Sequence, residues 1–415
     1  MAVKEGYKNT VAGVIPIDWD VKEFVEVMDG FSSGQTPYRA IKEYYRGDIY
    51  WITSGELNYN IITDTLEKIT QEAVNDTGLK LIPKGTFLFA ITGLEATGTR
   101  GSCAITGVQA TTNQSCMALY PKKGKLTTEY LFHYYVMYGN ELAFKYCQGT
   151  KQQSYTGGIA KKLPIIVPAT VEEQTAIASA LSGADALIAS LRKLIGKKQN
   201  IKKGVMQKML TPQKKWQTAK LGDECDLITK GRTPTSYGKE YKTSGINFIK
   251  IETLQKDGQI VKDKVAFIDL PTHNLFKNSQ LKSGDILFSI AGALGRVAIV
   301  SADILPANTN QALAIIRLKS EGKLNVDYVY HYLGTKKLQK HIESISVQGA
   351  QANLSLQNIY DLEVEFPEHA EQIEIATILS DMDNEIRILE KKLEKYIMIK
   401  QGMAQDLLTG KIRII

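Results

Sequence analysis

The stretch "IKKGVMQKMLT" at 201–211 is written a second time as "IKQGMAQDLLT" at 399–409, at a constant offset of 198 residues. Ile201, Lys202, Gly204, Gln207, Leu210 and Thr211 meet identical residues there. The identity runs on upstream: Gln174, Ile177, Ala178, Leu181, Ser182, Asp185, Ile188 and Leu191 have identical mates from Gln372 to Leu389. Further upstream the offsets drift between 197 and 200, with one larger break. There "SGQTP" (33–37) pairs with "KGRTP" (230–234), and "YWITSGEL" (50–57) with "NFIKIETL" (247–254). "PKGTFLFAITG" (83–93) pairs with "KSGDILFSIAG" (282–292), "TNQ" at 112–114 recurs at 309–311, and "EYLFHYY" (129–135) pairs with "DYVYHYL" (327–333). Solenoids repeat every ~20–50 residues. A unit near 200 residues, written twice, is a domain with its connector, and the chain is pseudo-two-fold.

Within each copy the periodicity changes. Short apolar runs bounded by turn residues read as buried strands: "TFLFAI", "SCAI" and "LPIIVP" in the first copy, "DILFSI", "RVAIV" and "LAIIRL" in the second. Tyr130, Leu131, Tyr134 and Tyr138 recur at helical spacing and predict a helix over 127–146. After Pro168 and Pro367 the pattern is helical. A short helix is expected at 172–181 and again at 370–379. Ser182 and Ser380, each followed three residues on by Asp185 and Asp383, resemble capping boxes that start a new helix. Those helices run to Leu210 and Leu408, where Pro212 and Gly410 supply stop signals, and span on the order of 40 Å. Their shared apolar stripe is Ile188, Leu191, Ile195, Ile201 and Val205, matched by Ile386, Leu389, Leu393, Ile399 and Met403. So narrow a stripe reads as a coiled-coil seam, buried if the two long helices pack on each other. Gly204 and Gly402, at matching positions, have two readings: close helix approach, or glycines tolerated at a cost of about 1 kcal/mol each.

The net charge is +7. Residues 182–215 hold nine Lys/Arg and one acid, net +8, against seven basic and six acidic, net +1, at 380–413. Taken by itself, such a block reads as a solvated face; the alternative is that the first long helix turns a basic face to DNA or an acidic subunit surface, with Lys197, Lys198, Lys202 and Lys203 as the test positions. The four cysteines lack CxxC spacing and read as reduced thiols. With no apolar run of membrane length and no secretory h-region in "MAVKEGYKNT", a cytoplasmic location is expected.

Catalytic signatures are missing. There is no GxxxxGK[ST] loop and no Asn-Pro-Pro-Tyr run, and "GLEATGTRG" (93–101) lacks dinucleotide spacing. The five histidines show no metal spacing. His133 and His331, repeat mates beside tyrosines, read as satisfied core or surface residues. What the copies share is packing residues, turns and amides. Asn and Gln can bond adenine, and Arg guanine, in the major groove.

Two variable β-rich domains, each followed by a near-identical helical segment ("EEQTAIASALSGADALIASLRKLIGKKQNIKKGVMQKMLT", 172–211, and "EQIEIATILSDMDNEIRILEKKLEKYIMIKQGMAQDLLTGK", 371–411), resemble the specificity subunit of type I restriction–modification systems. The G-[QR]-T-P turns and G-[TD]-x-L-F-[AS]-I-x-G strands support the resemblance, which covers essentially the whole chain. It implies an α+β architecture: two pseudo-repeated globular target recognition domains (1–168 and 214–367) with conserved helical regions (169–213 and 368–415) as a pair of long antiparallel helices. Each domain would read one half of a split asymmetric sequence in double-stranded DNA. The helices would set the spacing and dock two methyltransferase subunits, and restriction (translocase) subunits would join. No catalysis or cofactor is expected here; S-adenosylmethionine, ATP and Mg²⁺ belong to the partner subunits. For DNA contact the candidates are Gln35, Thr36, Tyr38 and Arg39; Arg100; Lys151, Gln152 and Gln153; Arg232, Thr233, Thr235 and Lys239; Arg296; and Gln348, Gln351 and Asn353. The apolar stripe would serve spacing and docking. Two alternatives stay open: a non-catalytic coiled-coil scaffold whose lobes bind protein, and an enzyme with tandem catalytic lobes, which the absence of duplicated acids and bases disfavours.

Overall fold

A computed structural model describes residues 5–96, 98–149, 153–255, 257–346 and 353–414. The chain divides into two compact units, Met1–Leu191 with Leu393–Ile415, and Arg192–Lys392. In the first, strands β1 (Met28–Ser33), β2 (Asn60–Ile62), β3 (Phe87–Ala90), β4 (Cys103–Thr106) and β5 (Cys116–Pro121) form one sheet in the order β1-β5-β3-β4-β2. All pairs are antiparallel except β2 with β4. Every residue of β3, "FLFA", is buried, as an uninterrupted apolar run requires. The tyrosine-bearing helix α1 (Thr128–Tyr146) forms as the spacing predicts, and Thr127 caps it by accepting from the Tyr130 N–H at 3.2 Å. It packs Tyr135 edge-on against Phe87 and Phe89. The first long helix, α2 (Val171–Met209), follows.

The second unit repeats the plan. Strands β6 (Cys225–Lys230), β7 (Ile286–Ser289), β8 (Val297–Ile299) and β9 (Leu313–Leu318) lie antiparallel in the order β6-β9-β7-β8. The counterpart of α1 is divided into α3 (Val326–Leu333) and α4 (Lys336–Ser346). Gly334 stands at the break, where the first copy has Val136, and glycine is a poor helix former. The second long helix is α5 (His369–Leu408). Each unit also has a small side sheet: Ile49–Ile52 with Glu67–Ile69 and Thr111–Thr112, matched by Ile246–Ile249 with Ala266–Ile268 and Ala307–Thr309.

Three helical expectations are corrected. First, no helix starts at Ser182 or Ser380. Both α2 and α5 run through these positions unbroken, and the serine hydroxyls are engaged sideways by His133 and His331 instead of competing for the backbone. Second, the stripe is not one continuous seam. Ile188, Leu191, Ile195 and Ile386 are buried and Leu389 and Leu393 half-buried, but Ile201 and Ile399 are 43% and 41% exposed. Beyond them the helix ends turn to the globular cores: Val205, Met206, Met209 and Leu210 join the core of the second unit, and Met403, Leu407 and Leu408 that of the first. Third, a Cβ on Gly204 or Gly402 would meet nothing within 4 Å. These glycines face open space and permit no close approach.

Polar pairs join the long helices inside each unit. In the second, Lys202 pairs with Asp383, Lys198 with Glu385 at 2.6 Å, and Gln199 Nε2 donates to Glu390 at 3.2 Å. Residue numbers rise on one helix as they fall on the other between the first two pairs, so the contact is antiparallel. In the first unit, Lys400 pairs with Asp185, the repeat mates of Lys202 and Asp383. Two of the four test lysines, Lys198 and Lys202, are thus committed inside the protein, whereas Arg192, Lys193, Lys197, Lys203 and Lys208 are exposed. The four cysteines are free thiols, and among the described residues no helix is long and apolar enough to cross a membrane.

Candidate nucleic-acid interface

The loops carrying the DNA-contact candidates leave one end of each sheet. In the first unit the G-Q-T-P turn follows β1, residues 91–101 link β3 to β4, and residues 113–115 lead into β5. Cys116 pairs with Ala90 across the sheet, so the last two loops start side by side, and the Ile91 N–H donates to the Ser115 carbonyl at 2.9 Å. The 153–155 segment joins them through the Thr92–Ser154 bridge and a 2.8 Å bond from the Tyr155 N–H to the Ile91 carbonyl. The second unit does the same: the G-R-T-P turn follows β6, residues 290–296 link β7 to β8, residues 310–312 lead into β9, and Asn353 bridges to Ala291.

The duplicated turn has a physical explanation. A Cβ on Gly34 would lie 1.6 Å from the Thr112 carbonyl oxygen, and one on Gly231 would lie 1.9 Å from that of Thr309. Only glycine lets the turn approach so closely. The Thr36 hydroxyl donates to Gln114 Oε1 at 2.6 Å, and Thr233 makes the same bond to Gln311. Gly and Thr are therefore the frame, tied to the duplicated "TNQ". The residue between them differs: Gln35, exposed, in one copy and Arg232, half-buried, in the other. Gln114 and Gln311 themselves are exposed. The TNQ repeat is visible in the sequence, but its bond to the turn is not.

The other candidates divide by what already holds them. Arg39 donates both ends of its fork to Glu67, at 2.5 and 2.8 Å, and stacks over Tyr45 and Trp51. Its hydrogen bonds hold the Glu67 carboxyl below the usual range. Tyr38 beside it is 71% exposed. Arg100 Nε donates to the Leu94 carbonyl at 2.7 Å and Nη2 to Gln153 Oε1 at 3.3 Å, so Arg100 and Gln153 meet and staple two loops together. Arg296 Nη1 donates to the Leu254 carbonyl at 2.7 Å, an equally structural use. Arg232 lies over the Tyr237 ring with no carboxylate partner among the described residues. Thr235 and Asn353 are exposed and Lys239 half-buried. Lys151, Gln152, Gln348 and Gln351 lie outside the described residues. The side chains left uncommitted are thus Gln35, Tyr38, Arg232, Thr235 and Asn353, while Gln114 and Gln311 already accept from the turn threonines: hydrogen-bonding side chains on a loop rim, with no acid–base pair among them. Among the described residues no cluster of three or more His, Cys, Asp or Glu could hold a metal ion. His133 and His331 are satisfied core residues, one of the two placements the sequence left open, and each is bonded to a serine that the sequence did not single out as its partner.

The profile of the type I restriction modification DNA specificity domain matches residues 16–203 and again residues 213–397. The chain belongs to that family. It is 34% identical over 194 residues to the type I restriction enzyme MjaIX specificity subunit of Methanocaldococcus jannaschii, an alignment covering 45% of this chain and 42% of that protein. It is 26% identical over 437 residues to the putative type I restriction enzyme MjaX specificity subunit of the same organism, covering 99% and 97%. The first alignment spans less than half of the relative and the second nearly all of it. Among solved structures, the S subunit of the type I restriction-modification system of M. genitalium matches with a TM-score of 0.63 at 14% identity, covering 98% of each chain. A chain from a structure bearing on complex assembly and conformational transition of the type I R-M system matches at 0.53 and 15%, covering 96% and 99%. At these identities the likeness is one of fold, and it extends over the full length of this family member.

Proposed function

We propose that the chain is the DNA sequence-specificity subunit of a type I restriction–modification complex. The observation that carries this is the double family match, one on each copy; the repeated loop rim described above supports it. Each recognition domain, 1–168 and 214–367, reads one half of a split asymmetric target. The helical regions, 169–213 and 368–415, set the gap and dock two methyltransferase subunits, and restriction subunits join the assembly. The chain itself performs no chemistry; S-adenosylmethionine, ATP and Mg²⁺ act on the partners. Phosphate contacts supply position and much of the affinity, while base edges supply specificity. The residue framed by Gly and Thr in each turn is a base reader: an amide suits adenine and a guanidinium guanine. The exposed lysines of α2 supply the basic face for DNA or a partner.

A gel-shift of the chain assembled with its methyltransferase subunits tests this. Retention of duplexes that carry one split sequence over shuffled duplexes, with a steep fall in affinity as salt rises, is expected. Assembly with the subunits but no preference for any duplex would instead favour a protein-binding scaffold.

A further inference from the structure

We infer that the His133–Ser182 and His331–Ser380 pairs are positioning devices: each fixes the pose of a recognition domain on its long helix, and so the gap length the subunit accepts. The inference rests on the DNA-specificity reading. His133 Nε2 lies 2.9 Å from Ser182 Oγ, and His331 Nε2 lies 3.0 Å from Ser380 Oγ. Both rings are almost wholly buried, and both bonds join a domain helix to a long helix.

A second pair of pins lies upstream. Gln174 Oε1 accepts from the Thr127 N–H at 3.0 Å and its Nε2 donates to the Lys125 carbonyl at 2.9 Å. Gln372 repeats this on Asn325 and Lys323 at 2.9 and 2.8 Å. The Gln clamp grips the first turn of the domain helix; the histidine grips it further along. On the long helix, positions 174 and 182 are about 12 Å apart at 1.5 Å per residue. One pin leaves a pivot, whereas two separated pins fix the crossing angle. The station reaches further, because Asp185, one turn beyond Ser182, pairs with Lys400, and Asp383 pairs with Lys202. Domain helix, own long helix and the long helix of the other repeat therefore meet at one turn. A buried neutral imidazole suits this role, since its single donor and single acceptor make a directional bond that an apolar side chain cannot.

The test uses the complete chain assembled with its methyltransferase subunits, and duplexes bearing the native half-sites at the native gap or one base pair longer or shorter. The variants are Ser182→Ala and Ser380→Ala, which remove a hydroxyl at no cost in packing, with His133→Phe and His331→Phe. His133→Gln, which returns a nitrogen near Nε2, is the rescue. The expected result is a narrowing of gap discrimination by about fivefold per lost bond, the size of one neutral hydrogen bond, with native-gap methylation largely retained and discrimination restored by His133→Gln. Folded variants with undiminished gap discrimination would overturn the inference. A wild-type complex with no preference for any split sequence would instead remove the DNA-specificity reading beneath it.

Discussion

Replacing Arg413 by Ala removes the partner of a buried carboxylate. Glu173 is only 3% exposed in its side chain and accepts from Arg413 through both oxygens and from Trp19 Nε1 at 3.1 Å. The outer edge of the same guanidinium holds Asp18 at 3.0 Å, an exposed contact of little worth. Gly410, at φ 69°, turns the chain so that this tail lies against Pro16 and Trp19, and Leu407 and Leu408 are buried in the same core. Breaking a fully buried ion pair costs about 3–5 kcal/mol. Arg413 is 28% exposed, so water enters when it is lost, and about 2–3 kcal/mol is the expected destabilisation of the first unit. The chain has three tryptophans: Trp19 and Trp51 report the first unit and Trp216 the second. In a Trp216→Phe background, urea unfolding followed by fluorescence should show the midpoint of the first unit falling by about 1 M. The Arg413→Ala, Glu173→Gln double variant should recover most of the loss, because a neutral amide oxygen still accepts from Trp19. An Arg413→Ala midpoint within experimental error of the parent, or no recovery in the double variant, would refute the reasoning.

Gly204→Ala and Gly402→Ala, on open helix faces, should each raise stability by about 0.5–1 kcal/mol, seen as a higher Tm; a lower one would show that the faces are packed. Burial holds His133 and His331 down to about 4 and about 3, so they are neutral when folded but protonate below about 6.5 when unfolded. Unfolding then takes up protons, and stability, whole above that pH, should fall by about 2 kcal/mol per histidine between pH 7 and pH 5; His133→Phe should flatten its share of that slope in pH-dependent urea titrations. Gln35→Ala and Arg232→Ala should each relax specificity at one base pair, in different half-sites, by about 1–3 kcal/mol, measured by methylation of single-substitution duplexes.

The duplication carried most of what was legible. Strands such as "FLFA" and the helix at 128–146 follow from local patterning, and the long helices from a matched stripe. What escaped depends on tertiary partners. Ser182 has the spacing of a cap, but the imidazole that takes its hydroxyl lies 49 residues away. Ile201 fits the stripe, yet the helix end beyond it belongs to a domain core that periodicity does not encode. Arg39 and Arg100 are sound base-reading chemistry by residue type. Only coordinates show that Glu67 and the Leu94 carbonyl occupy them, while the duplicated "TNQ" was visible without its bond to the turn.

Methylome sequencing of a host carrying this chain with its methyltransferase subunits tests the central claim most directly. Methylated bases are expected in one bipartite asymmetric motif with a fixed gap, with Gln35→Ala altering one half and Arg232→Ala the other. Methylation in a continuous motif, or a motif unchanged when this chain is exchanged for another family member, would contradict that claim.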